Sequence, residues 1–100
     1  MYLKRDLHIS GVTYNANPNQ PITPEYDVSK FEFIGAYFEP NMDTTIIMKI
    51  ETAVGWKDYE TLDIKANQYD FFNIWSAPFG KIRFYSTAAG TVNFDIHFKV

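Results

Sequence analysis

Along the last run of the chain, Val92, Phe94, Ile96, Phe98 and Val100 are apolar, and Asn93, Asp95, His97 and Lys99 between them are polar. A period of two puts the two sets on opposite faces of a strand, one buried and one wet. Just upstream, Ile82, Phe84 and Ser86 face one way and Lys81, Arg83 and Tyr85 the other. The intervening Ser-Thr-Ala-Ala-Gly is a turn signal, so the two runs are predicted to pair as an antiparallel hairpin. TTIIMKIE directs Ile46, Met48 and Ile50 inward and Ile47 and Lys49 outward, and Ile47 is unusual on a solvated face. YETLDIK offers Leu62 and Ile64 against Tyr59 and Thr61. Gly55 and Trp56 fall at the turn between these two strands, which predicts that Trp56 plugs the end of a core or makes an end-on contact.

Near the start, Leu7 and Ile9 alternate with Asp6, His8 and Ser10. In SKFEFIGAYF, Phe31 and Phe33 alternate with Lys30 and Glu32 until Ile34, Gly35 and Ala36 break the pattern. A glycine there predicts a bulge at which the inward face switches, leaving Ala36 and Phe38 or Tyr37 to fill the core. QYDFFNIW allows either Phe72 and Ile74 or Phe71 and Asn73 to face inward. Apolar spacings of three and four are never sustained, and β-branched and aromatic residues dominate each run, so helix is not expected. The prediction is an all-β chain, an antiparallel β-sandwich or jelly roll of about seven or eight strands. Residues 1–100 form one domain on this reading, with a Pro-rich loop or arm over 13–26. Pro18, Pro21 and Pro24 keep that segment out of a central strand, because proline donates no ladder hydrogen bond. Extended and stiff, it suits an arm laid across a neighbouring subunit.

Composition narrows the partners. Nine Phe, seven Tyr and two Trp supply more aromatic surface than a core of this size needs, which favours a partner-binding face as well as a β core. Nine Lys and Arg stand against twelve Asp and Glu, scattered without runs, so the chain has no basic footprint for nucleic acid. Cysteine is absent, which excludes disulfides, thiolate metal sites and thiol catalysis. The charged start MYLKRD is unlike a cleavable signal, and apolar runs stay far short of the ~20 residues that span a bilayer. A chain made in the cytoplasm, with no membrane partner, is expected.

Candidate chemistry is sparse. His8 and His97 are the only histidines, both on polar strand faces, and they meet only if the first and last strands pair. Two imidazoles without a thiol or carboxylate pattern are a weak metal signal, so the expectation is two surface histidines, no metal and no cofactor. Asp58, Glu60, Asp63 and Asp70 sit at ordinary strand spacings, and nothing marks one as an acid of raised pKa. Serine-nucleophile, phosphate-loop and dinucleotide fingerprints are absent, and the chain is not expected to be an enzyme. Two classes remain. A structural subunit would use Tyr14, Pro18, Pro21, Pro24, Tyr26, Ile47, Trp75 and Phe79 as its interface. A glycan-binding module would use Trp56 and Tyr59, whose rings can meet sugar C–H bonds while neighbouring carboxylates take hydroxyls.

From Asp27 onward, the order of signals resembles the small sandwich domains among virion proteins of tailed bacteriophages, including capsid accessory, fibre and tail components. The resembling features are TTIIMKIE, a turn with Trp56, YETLDIK, and an Ile82-Arg83-Phe84 element. The resemblance implies a jelly-roll-like sandwich, assembled as a symmetric homo-oligomer with a trimer favoured, and no catalytic residues. On this basis the expected role is a structural protein of a bacteriophage virion, located in the virion and partnered by other virion subunits. The alternative is a non-catalytic carbohydrate-binding module.

Overall fold

The computed structural model describes residues 6–75 and 80–100. Eight strands follow in order: β1 (Leu7–Ala16), β2 (Tyr26–Asp27), β3 (Phe33–Pro40), β4 (Thr44–Thr52), β5 (Gly55–Ile64), β6 (Asp70–Trp75), β7 (Lys81–Ser86) and β8 (Gly90–Lys99). The chain is wound as a doubled ribbon. β4 pairs with β5, β3 with β6, β2 with β7 and β1 with β8, all antiparallel. Curling the ribbon adds β3 against β8 and β4 against β7. Two four-stranded sheets result, in the orders β1-β8-β3-β6 (sheet A) and β2-β7-β4-β5 (sheet B). This strand order is that of a jelly roll.

The alternation predicted for β4, β7 and β8 sets their buried faces. Ile46, Met48, Ile82, Phe84, Val92, Ile96 and Phe98 are buried between the sheets, and Phe72 and Ile74 supply the inward face of β6. Phe38, Phe72 and Phe84 form the aromatic centre, with ring centroids 4.9 Å apart for Phe38–Phe84 and 5.7 Å for Phe72–Phe84. The buried hydroxyls of Thr44 and Ser86 satisfy each other at 2.7 Å. In β1, the ring of Phe94 fills the place a side chain would take at Gly11, where an added Cβ would lie 2.5 Å from Phe94 Cζ. The sharp turn between β4 and β5 uses Gly55 at φ 107°.

Two local expectations are corrected. β7 and β8 are not a hairpin; the chain crosses from sheet B to sheet A between them. Alternation reports which residues face the core but not which sheet a strand joins. Gly35 marks no bulge, because β3 alternates regularly, with Ile34, Ala36, Phe38 and Pro40 buried. The phase instead changes before the strand, where Phe31 packs on Phe98 with ring centroids 5.2 Å apart. The 13–26 segment makes its contacts with its own domain. Thr13–Ala16 belongs to β1, and the Thr13 hydroxyl donates to the Ile22 carbonyl. The Ile22 amide donates to the Phe84 carbonyl at 2.9 Å, Pro21 bridges to Tyr85, and Tyr26 pairs with Ile82. The prolines thus interrupt an edge of sheet B, where missing N–H groups cost least.

Candidate functional site

The outer faces of the two sheets differ in chemistry. On sheet B, charges are matched within the face. Lys49 pairs with Asp58 at 3.1 Å, and Glu25 meets Lys81 at 3.6 Å and Arg83 at 3.4 Å. The Arg83 guanidinium lies 4.6 Å from the centre of the Trp56 ring, and the Lys49 ammonium lies 4.9 Å from that of Tyr85. Trp56 is half-buried at the start of β5, next to the turn, with Arg83 over one face of its ring. Tyr59 is the extra residue of a bulge, set between the Met48–Glu60 and Lys49–Asp58 pairs. Ile47 lies half-buried between its partners Thr61 and Tyr85.

At one end of sheet B, a notch of about 390 Å³ is lined by Asp43, Thr45, Asp63, Lys65 and Thr87. Its polar groups bind one another: Thr45 donates to Asp63 at 2.6 Å, and Asp43 accepts from the Ala66 amide at 2.8 Å. Little there is left over for a ligand.

Sheet A presents a different surface. Strand register places His8, His97, Gly35 and Asn73 in one row across β1, β8, β3 and β6, and Ser10, Asp95, Tyr37 and Phe71 in the next. On the other side of the first row, Lys99, Phe33 and Trp75 align. Since Gly35 has no side chain, a groove of about 340 Å³ opens over it, walled by Phe33, Tyr37, Phe71, Asn73, Asp95 and His97. Two tilted aromatic pairs flank this groove, Phe33–Trp75 at 4.7 Å and Tyr37–Tyr69 at 5.3 Å between centroids. The outer strand β6 and the residue leading into it expose Tyr69 at 63%, Phe71 at 49% and Trp75 at 73%. The surplus aromatic surface foreseen from composition is concentrated along this edge.

At the opposite end of these rows the residues are polar. The His8 and His97 rings stack with centroids 4.1 Å apart and planes within 8° of parallel. Asp95 accepts hydrogen bonds from His8 Nε2 and, at 2.9 Å, from the Ser10 hydroxyl. Desolvation pushes the Asp95 carboxyl upward, but these hydrogen bonds and the adjacent imidazoles outweigh it and hold the group below the usual carboxylate range. Asp95 therefore stays an acceptor or ligand at neutral pH, and it is poorly suited to act as a general acid. Tyr37 donates to Glu39 at 2.7 Å, a bond that raises the phenol above its ordinary value.

The residues expected to form one interface are spread out. Tyr14 is exposed on β1, at the edge of sheet A opposite Trp75 on β6, and Pro18, Pro21 and Pro24 are exposed along the 13–26 segment. Tyr26 is half-buried, its ring 5.4 Å from that of Phe98. Phe79 lies outside the described residues. Sequence reasoning did not place Phe33, Tyr37, Tyr69 and Phe71 on a binding surface. The period-two run of Tyr69, Phe71 and Trp75 carries that signal in retrospect. The residue absent from the histidine argument was Asp95, two positions before His97 and so on the same strand face.

Comparison with solved structures places the fold among β-sandwich proteins of varied origin. The SPBc2 prophage-derived protein YomS superposes with a TM-score of 0.69 at 10% identity, covering 100% of this chain and 97% of that one. A structure from Bacillus endospore appendages, a family of disulfide-linked pili, gives 0.59 at 14% identity, covering 99% of this chain and 92% of that one. No family model matches the chain, and no curated protein matches it. Identities this low show a shared fold and nothing finer.

Proposed function

We propose that this chain is a structural protein of a bacteriophage virion, a capsid-associated, decoration or tail component that works through protein contacts and without catalysis. The observation that carries the reading is the row of exposed aromatics along β6, an edge strand whose outer side has no strand partner among the described residues. Edge strands and contiguous exposed rings attract other chains, so a protein that keeps both uses them for assembly. The whole-chain likeness to a prophage-derived protein supports the phage origin, and copies in a virion would meet as a symmetric homo-oligomer, with a trimer favoured.

A second reading is a non-catalytic carbohydrate-binding module. The groove over Gly35 favours it, since rings stand beside Asn73, Asp95 and His97 there. Trp56 and Tyr59, on sheet B, are the other rings this reading would use. Solution mass and tryptophan emission separate the two readings. A stable oligomer indifferent to oligosaccharides supports the virion role, and a monomer whose emission shifts on adding oligosaccharides contradicts it.

A further inference from the structure

Pairing of the first and last strands brings His8 and His97 into direct opposition, and Asp95 lies two residues from His97 on the same face. One donor atom from each of these three side chains falls within 4.8 Å of the other two. We propose that His8, His97 and Asp95 form a binding site for a borderline divalent transition-metal ion, with zinc as its representative.

The donor set selects the metal class. Two imidazole nitrogens and one carboxylate oxygen suit zinc, nickel or copper, whereas magnesium and calcium take shells of oxygen. Three protein ligands with one position left to water is the usual arrangement of an open zinc site. Ser10 orients the carboxylate by donating to Asp95 Oδ1 at 2.9 Å, which leaves Oδ2 directed toward His97 Nε2 at 3.9 Å. Such an outer hydrogen bond commonly fixes a ligating carboxylate.

Binding requires a small rearrangement. Ligands about 2.1 Å from a tetrahedral ion stand roughly 3.4 Å apart, and the lone pairs of parallel rings do not converge on one point. Each ring must turn, and the ion takes the place of the proton between His8 and Asp95. Both imidazoles are about half exposed, 52% for the His8 side chain and 48% for His97, so each has solvent to turn into, and the turn gives up their mutual stack. Access is open on two sides: the groove over Gly35 borders His97 and Asp95, and a hollow of about 220 Å³ borders both histidines.

The test is calorimetric titration of the full chain with zinc chloride at neutral pH, with magnesium chloride as the control. The expected result is saturable zinc binding and no magnesium heat. His8→Ala, His97→Ala and Asp95→Asn each weaken zinc binding by at least about tenfold, the scale seen for losing even an outer hydrogen-bond partner. Far-ultraviolet dichroism of the variants without metal verifies that they remain folded. Ser10→Ala, which keeps all three ligands, gives a smaller loss than any of them. Absence of saturable zinc binding up to millimolar concentration overturns the proposal, as does zinc binding that survives both histidine substitutions.

Discussion

His8 lies directly across the β1–β8 pair from His97, and the two rings stack with centroids 4.1 Å apart while Asp95 accepts a hydrogen bond from His8. This contact ties the polar end of sheet A together and gives the fold a dependence on acid. Against desolvation, hydrogen bonds from His8 and Ser10 hold the folded Asp95 carboxyl below its ordinary value. A carboxyl lowered by folding contributes stability above its unfolded value and loses it as pH falls through the folded one. Melting temperatures of the native protein and Asp95→Asn, followed from about pH 5 downward, are therefore expected to converge in acid. A gap that stays constant would show that Asp95 is not the group responsible.

Trp56→Ala is expected to destabilise only mildly. The half-buried ring lies beneath Arg83, and a cation–π contact that keeps access to water contributes about 0.5–1 kcal/mol. Phe84→Ala, in contrast, empties a fully buried site at the aromatic centre and is expected to cost about 3–5 kcal/mol. Urea unfolding of both variants checks the ordering, and a Trp56 loss equal to that of Phe84 would place the ring in the core.

The 13–26 segment is held by its own domain, with Ile22 buried and bonded through its amide to Phe84. Ile22→Ala is expected to cost about 2–5 kcal/mol, and Pro18→Ala at an exposed turn position less than about 0.5 kcal/mol. An arm that folds only against a neighbour would leave the stability of the isolated chain unchanged in both variants.

Thr23 is buried with a hydroxyl that has no hydrogen-bond partner among the described residues. Replacing a buried unsatisfied polar group by an apolar one of the same shape removes a desolvation cost. Thr23→Val is expected to leave stability unchanged or raise it, and a clear loss in thermal melting would mean that the hydroxyl is satisfied.

The sequence was most legible where one face of a strand is buried and the other wet. β7 and β8 alternate regularly, as does the first half of β4 in burial, so Ile46, Phe84 and Ile96 could be assigned to the core directly. Connectivity was not legible, because both sheets draw on the same alternation and the turn after Ser86 looks alike whether the chain folds back or crosses over. The candidate site was hidden for a related reason. Its rows join β1, β8, β3 and β6, strands remote in sequence, and only their register shows Asp95 beside His8 or a gap above Gly35. The cover of Trp56 was not legible because Arg83 comes from β7, next to β4 in the sheet and not to β5.

If the β6 edge of sheet A is an assembly surface, sedimentation equilibrium at micromolar concentration reads it out as mass. The native protein is expected to sediment as a trimer or larger oligomer. Replacing the exposed rings, in Tyr69→Ser and Trp75→Ser together, is expected to yield a folded monomer. A native protein that is monomeric throughout, or an oligomer unchanged by the double substitution, would mean that this edge is not an assembly surface.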